Sequence, residues 1–389
     1  MPVLHNISQL ATCPPQNQQQ DAGLINNAAL VWQNELISWV GPFAELPSRY
    51  RGEQVIDCGR KLVIPGLVDC HTHLCFGGWR GDEFELRLQG ASYQEIAAAG
   101  GGIASTVTAT RSASIGTLQR KAQAALDGML ALGVTTVECK SGYGLDEANE
   151  LKQLEVYRRL DDSHAVDLVV TYLGAHIVPP EHKNNRNRYI SLICDVMIPQ
   201  IAERGLARFC DAFVEEGAYS IDEARQIFQA ARSHDLGIKV HADQLSDGGG
   251  ARLAAEMQAV SAEHLEYISD EGIEALAESG TVAVSLPIAS MYLGEPYLPA
   301  RKLIGAGVAV AVATDFNPGS APSYHLPFAM TLACLNQAMT PQESLNGATS
   351  VAARAIGAGD SIGSLLPGYQ ADFAIIDAPS LNQWLYHFV

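Results

Sequence analysis

From about residue 104 to residue 360 the chain alternates two patterns of apolar and polar positions. Short runs rich in Val, Ile, Ala and Cys, with no polar alternation, give way to stretches in which apolar residues recur at helical spacing. The first pattern suits strands buried on both faces of a parallel sheet, and the second suits amphipathic helices. The strand candidates are 63–71, 133–140, 167–174, 208–215, 237–241, 259–264, 281–287 and 308–314. Helix candidates fall between them at 117–132, 146–160, 188–204, 221–233, 249–256, 270–279 and 297–306. Eight such units predict a closed α/β barrel of the (β/α)8 TIM type in preference to an open sheet.

The ends of the chain read differently. Runs at 28–32 and 36–40 flank Gln33-Asn34 and lead into a Pro- and Gly-bearing tail, as antiparallel strands do. Residues 363–377 read as a turn and a strand. The two ends are expected to pair into a small β-sandwich domain from residues 1–60 and 363–389, beside a barrel spanning 61–362. There is no internal repeat and no low-complexity linker apart from a Gln-rich patch at 16–20.

With 389 residues, 47% of them hydrophobic, the chain has a core-forming composition and no signature of disorder. A net charge of −18 argues against nucleic acid and anionic membranes as partners, and an anionic substrate would need a local cation. The start, Met-Pro-Val-Leu-His-Asn, lacks a basic region followed by an apolar core, so no signal peptide is expected. No run of 18 apolar residues predicts a membrane span. Eight cysteines, at 13, 58, 70, 75, 139, 194, 210 and 334, include no Cys-X-X-Cys and mostly lie in apolar runs. That usage predicts buried free thiols and a cytoplasmic location.

The apolar run 63–71 leads into His71 and His73. Residues i and i+2 of a strand share a face, so both imidazoles can reach one point, and neutral imidazole is the commonest metal ligand. In a barrel of this kind chemistry sits at the C-terminal ends of the strands. Those ends carry, in order, His71 and His73, then Lys140-Ser-Gly-Tyr143, His176, Glu215-Glu216, His241-Ala-Asp-Gln244, Glu263-His264 and Thr314-Asp315-Phe-Asn317. Read alone, His241 could be a satisfied core histidine and Asp315 a helix cap. Together with the pair they make three nitrogens and one oxygen, a set that suits Zn²⁺ and that iron tolerates. A metal held there would acidify a bound water and polarise a carbonyl.

At this point the chain resembles the amidohydrolase superfamily, in the order His-X-His, strand-five His, strand-six His and strand-eight Asp. The finer motifs are similar to those of the imidazolonepropionases, the ring-opening enzymes of histidine degradation. They are Asp69-Cys-His-Thr-His-Leu-Cys-Phe-Gly-Gly-Trp-Arg80, Lys140-Ser-Gly-Tyr-Gly-Leu145, Tyr172-Leu-Gly-Ala-His176, His241-Ala-Asp-Gln244, Ser261-Ala-Glu-His-Leu265 and Ala313-Thr-Asp-Phe-Asn-Pro-Gly-Ser320. The resemblance implies hydrolysis of 4-imidazolone-5-propanoate to N-formimidoyl-L-glutamate by one Zn²⁺ or iron ion (Fe²⁺ or Fe³⁺) per chain. His71, His73, His241 and Asp315 would bind the metal. Arg80 would pair with the propionate of this small anionic heterocycle, and Tyr143, His176, Gln244, Asn317, Gly319 and Ser320 would contact substrate. It also implies a homodimer.

Two departures from the family pattern bear on these expectations. Some members carry Glu where this chain has Gln244, and an amide cannot act as a base. Proton transfer then falls to Asp315, His264 or His176, with His176 the first candidate to polarise the ring carbonyl. The chain stops at Val389, earlier than the resemblance implies, so a closing strand of the small domain is expected to be missing. Lys140 lies on strand two, not where binuclear members carry a bridging carboxylated Lys, which favours a single metal and leaves Lys140 an electrostatic or structural part. The nearest rival is another mononuclear amidohydrolase, such as a deaminase of a nucleobase-like heterocycle, which would release ammonia. A non-catalytic barrel would be expected to have lost metal ligands.

Overall fold

The computed structural model describes residues 1–15, 19–51, 54–91, 95 and 100–387, so residues 16–18 of the Gln-rich stretch and the terminal 388–389 lie outside the described residues. The N-terminal strands are β1 (Val3–Ala11), β2 (Leu24–Gln33), β3 (Leu36–Pro42), β4 (Val55–Asp57) and β5 (Leu62–Pro65). β1, β2 and β3 form an antiparallel meander, while β4 and β5 both run parallel to β1.

The chain then crosses at Gly66 into a second sheet, so the apolar run 63–71, which reads as one strand, is two. A Cβ at Gly66 would lie 2.2 Å from the Thr135 hydroxyl and 2.6 Å from the Asp372 carboxylate, so only glycine fits this close passage. Both flanks of the break are apolar and buried, which is why hydrophobicity alone does not reveal it.

The second sheet holds β6 (Leu67–Thr72), β7 (Val134–Lys140), β8 (Asp167–Ala175), β9 (Phe209–Val214), β10 (Gly237–Ala242), β11 (Ser261–His264), β12 (Val282–Ser285) and β13 (Val310–Val312). Each is hydrogen-bonded to the next in sequence, and every pairing is parallel. This is the expected (β/α)8 barrel. Helices Ile115–Ala131, Glu147–Asp161, Ile221–Ser233 and Asp270–Ser279 form at or within two residues of the stretches with helical periodicity. The third, for example, starts at Ser220, whose hydroxyl accepts from the Glu223 N–H while the Glu223 carboxylate accepts from the Ser220 N–H. The stretch 188–204 is less regular, because a π turn, Ile193–Met197, separates Arg186–Leu192 from Ile198–Glu203. Pro199 lies just beyond this turn and has no N–H to give to an ordinary helical ladder.

After β13 come Leu326–Gln337, Pro341–Gly347 and Ser350–Ala355, helices that the sequence reading did not separate. β14 (Phe373–Ile376) then returns to pair antiparallel with β5, so the two chain ends do share a sheet. Trp32 meets Phe373 edge to face at 5.3 Å, although β1 and β5 lie between their strands in the sheet order. The sheet therefore curls over a core that includes Leu4, Ile7, Leu30, Val63 and Leu365. The last described element is the helix Leu381–His387, whose Trp384 and Leu385 are buried.

The barrel closes between β6 and β13 with few strand-to-strand bonds. Asp69 supplies much of the seam, since its carboxylate accepts from the Thr314 N–H at 3.1 Å and from the Thr314 hydroxyl at 2.5 Å. Beyond it the Asp315 N–H donates to the His71 carbonyl at 3.1 Å, and the His73 N–H donates to the Phe316 carbonyl at 2.9 Å. The bonds that close the barrel thus also fix the residues expected to bind metal. Thr314→Val keeps the shape but leaves a buried carboxylate oxygen without its hydroxyl donor. It should cost about 1–3 kcal/mol and lower the thermal midpoint of the metal-free protein by several degrees. A midpoint within about 1 °C of the parent would show that the seam is held by other means.

Candidate metal centre and active site

Strand alternation delivers the histidine pair as predicted. His71, the last residue but one of β6, faces the barrel interior, and His73 follows one step beyond the strand on the same side. Their Nε2 atoms lie 3.4 Å and 3.5 Å from one oxygen of Asp315. His241, on β10, places its Nε2 at 3.4 Å from that of His73. A tetrahedral ion with bonds of about 2.0–2.1 Å holds its ligand atoms about 3.3–3.4 Å apart, and these three separations match it; His71, His73 and Asp315 form one cluster of ligand spacing, and His71, His241 and His264 another. Asp315 has a left-handed backbone (φ 56°), as has His264 at the end of β11 (φ 76°). Both are sparsely populated conformations for residues with a Cβ, and they fall at the mouth of the barrel.

The far nitrogens of two of these rings each face a buried carboxylate. Glu263 lies 2.7 Å from His71 Nδ1, and Asp211 lies 2.9 Å from His241 Nδ1. A carboxylate behind a ligand imidazole fixes its tautomer and turns the other nitrogen's lone pair towards the ion. Burial and the neighbouring imidazoles hold His73 well below the ordinary histidine range. Burial likewise takes His241 down to about 4, despite Asp211. For His71 burial opposes protonation, but the Glu263 carboxylate and Asp315 outweigh it and raise the ring to about 9. Burial would raise Asp315, yet its hydrogen bond and charge contact with His71 hold it below the usual carboxylate range. His73 and His241 are thus neutral imidazoles, and His71 would have to give up a proton to bind an ion. The donor set fits a single metal.

His264 packs beside this group, its ring 5.8 Å from His71 and 5.4 Å from His241. His176 stacks on His73 at 5.2 Å, and Tyr143 lies 5.3 Å from His176. His176 Nδ1 lies 3.0 Å from the Gly142 carbonyl, which requires an N–H there, and burial takes the ring down to about 3. At neutral pH His176 therefore carries one proton, on Nδ1, and its Nε2 is an acceptor. That reverses the part expected of it, because a neutral ring held this way cannot donate to a substrate carbonyl.

Arg80 follows the Gly77-Gly78 turn and leans across the loop after β13. A Cβ at Gly319 would lie 1.2 Å from an Arg80 guanidinium nitrogen. Gly319 is thus the floor on which Arg80 rests. Among the described residues no carboxylate pairs with Arg80, and its Nε is buried without a partner. The Asn317 amide donates to the Asp315 carbonyl at 2.7 Å and to the Ser320 hydroxyl at 2.9 Å, and its oxygen accepts from the N–H groups of Gly319 and Ser320. All four of its hydrogen-bonding positions are spent. The Asn317 side chain therefore shapes the loop that carries Gly319 and Ser320. Ser320 stands 3.5 Å from the second oxygen of Asp315. Gln244 is half-buried on the loop after β10, between Asp243 and Leu245, which buried carboxyl groups anchor.

Asp211, Lys239 and Glu138 escaped the sequence reading, and Glu263 entered it only as a neighbour of His264. The signal was present as a charged residue two positions before a strand-end residue, as in Lys239-Val-His241 and Glu138-Cys-Lys140. Such pairs share a face of the strand.

The Amidohydrolase family matches residues 62–388 of this chain. The imidazolonepropionase of Geobacillus thermodenitrificans is 50% identical over 375 residues, covering 95% of this chain and 88% of that protein. That of Symbiobacterium thermophilum is 48% identical over the same length and the same shares. Among solved structures, a zinc-bound adenosine deaminase from Xanthomonas campestris superposes with a TM-score of 0.73 at 19% identity, covering 99% of this chain and 88% of that one. A guanine deaminase from C. acetobutylicum gives 0.70 at 16%, covering 99% and 94%. These two likenesses show the fold.

Zinc should bind to the metal-free protein with a stoichiometry of one per chain. Because His71 must shed its proton, affinity should rise about tenfold per pH unit up to roughly pH 9. Calorimetric titration in buffers of different ionisation enthalpy checks this, and an affinity independent of pH over that range would mean that His71 is neutral in the free protein.

Proposed function

The chain belongs to the amidohydrolase family and, within it, to the imidazolonepropionases, and from this we propose how its own residues open 4-imidazolone-5-propanoate to N-formimidoyl-L-glutamate. The observation that carries the reading is the convergence of His71, His73, His241 and Asp315, with the Arg80 guanidinium on the adjoining loop, whose Nε is buried without a partner among the described residues. We assign those four residues to one zinc or iron ion per chain. When bound, such an ion brings the pKa of a coordinated water towards about 7 and polarises a carbonyl oxygen.

The propionate carboxylate pairs with Arg80, whose planar guanidinium can hold it bidentately. Tyr143 and His176 form a wall against which the ring lies, and His176 Nε2 accepts from a ring N–H. Fixing the substrate at both ends holds the ring carbonyl over the ligand cluster, a contribution of orientation. Hydrolysis adds the oxygen of water to that carbon and moves one proton to the ring nitrogen as the C–N bond breaks. Asp315, ionised and with its second oxygen beside Ser320, takes the first proton, and the neighbouring His264 is placed to return one to the leaving nitrogen. Gln244 can orient water or substrate by hydrogen bonding but not remove a proton.

Loss of imidazolone absorbance, with the unstable substrate generated in place by urocanase, tests the reading. Ring opening without ammonia release is expected; ammonia with an intact carbon skeleton would indicate deamination instead. Arg80→Ala should raise KM about 10- to 100-fold, the worth of a charge-assisted hydrogen-bonded pair, with kcat changed far less. Gly319→Ala, which occupies the place of the guanidinium, should act in the same direction without removing any charge. An unchanged KM in both would take Arg80 out of the carboxylate site.

A further inference from the structure

Lys140 lies wholly buried inside the barrel, on β7, with no place in the reaction above. Its ammonium donates to Glu138 at 2.8 Å and to Asp211 at 2.9 Å and stands as an ion pair 2.9 Å from Glu263. Two of these carboxylates are the ones behind the ligand imidazoles. The same Asp211 oxygen that meets Lys140 lies 2.9 Å from His241 Nδ1, and the same Glu263 oxygen lies 2.7 Å from His71 Nδ1. Lys239 holds the other Glu263 oxygen at 2.8 Å and is itself tied to the Ser261 hydroxyl and the Ala355 carbonyl.

We propose that Lys140 is a positioning residue for the metal centre, its ammonium clamping Asp211 and Glu263 so that both hold their ligand imidazoles, His241 and His71, in the metal-binding tautomer. The inference rests on the assignment of the metal ligands made above.

Three points of chemistry support it. An ammonium presents a compact charge with three rotatable donors, so it can serve three carboxylates converging from different strands, which a flat guanidinium cannot. Asp211, His241 and Glu263 lie close enough together to hold a cation of their own, and the Lys140 ammonium already stands between the two carboxylates. The same surroundings exclude the bridging role of a carboxylated lysine, because an ammonium paired with three carboxylates keeps its proton and has no free electron pair to attack carbon dioxide. The third carboxylate, Glu138, accepts from Lys140, from the Thr171 hydroxyl and, at 3.4 Å, from the N–H of Thr72 between His71 and His73, so it meets that strand at its backbone and stands behind no ligand imidazole. It is a built-in control.

The test is zinc binding by the whole chain, measured by competition with a chromophoric chelator and by the rate of zinc loss to excess EDTA. The thermal midpoint of the metal-free form is recorded alongside. Lys140→Met, Asp211→Asn and Glu263→Gln should each weaken zinc binding about 10- to 100-fold, the range for lost outer partners of metal ligands, and speed its loss. Glu138→Gln should change it less than about threefold. Lys140→Met combined with Asp211→Asn should cost less than the two single effects multiplied, since one acts through the other. If Lys140→Met does not fold, Lys140→Gln, which keeps donors but not charge, takes its place.

Zinc held by the neutral Lys140 variant within threefold of the parent would overturn the proposal and leave the network as packing. So would a Glu138→Gln effect equal to that of Asp211→Asn, because the influence would then be general charge and not the two clamps. A parent chain that binds no zinc or iron would overturn the metal assignment itself, a result distinct from either of these.

Discussion

The mouth of this barrel depends on charge that has been taken out of water. Glu138, Lys140, Asp211, Lys239 and Glu263 project into the barrel interior and are fully buried, where layers of branched apolar side chains are the usual filling. An unpaired charge in such a place costs several kcal/mol. The arrangement persists because the lysines and carboxylates interleave, one lysine contacting three carboxylates and the other securing the second oxygen of Glu263. Burial alone would favour neutral forms. Instead the opposite charges win, holding Lys140 well above the ordinary lysine range and Glu263 well below that of a carboxylate. Buried ion pairs of this kind are weak sources of net stability, so the value of the layer lies in where it places its atoms: directly beneath two imidazoles that face the opening.

The loops above the layer are built by a related device. They have no neighbouring strand to satisfy their backbone, and a buried N–H needs an acceptor. In each case a buried side chain serves several at once. Glu150 accepts from Gly142, Gly144 and Leu145 and so shapes the loop that carries Tyr143. Asp243 accepts from Gly248, Gly250 and Ala251, while Glu215 reaches across to Leu245, and Gln244 rides between them. Asn317 does the same for the loop that bears Gly319 and Ser320. The side chains facing the opening thus sit on loops fixed from below, which suits a site that must hold a small ring in one orientation.

These two devices explain what could be read in the chain. The eight strands were legible because parallel strands buried on both faces are unbroken apolar runs, and the meeting of His71, His73, His241 and Asp315 was legible because strand ends in a barrel converge. The crossing at Gly66 was not, since apolar residues flank it and only contact with Thr135 and Asp372 requires the glycine. Nor was the part of the Asn317 side chain as the brace of its own loop, because its bonds run to neighbours two and three residues away. Asp211 and Glu263 were obscured for a different reason. A carboxylate inside an apolar strand counts against burial unless its cations are known, and those cations, Lys140 and Lys239, come from other strands.

The geometry also divides labour around the ligands under the proposed reaction. A proton must leave water on one side of the ring and another must reach the ring nitrogen. Gln244 cannot carry it, and His176, neutral with its single proton committed to the Gly142 carbonyl, can only accept. His176 packs on His73 and Tyr143, so that side orients the ring. His264 packs on His71 and His241, and Asp315 joins His71 and His73 at one oxygen while its other oxygen stays beside Ser320. Proton traffic therefore runs on the side of Asp315 and His264. Under that assignment an amide at position 244 is compatible with the reaction, because the proposed ligand Asp315 keeps its second oxygen beside Ser320.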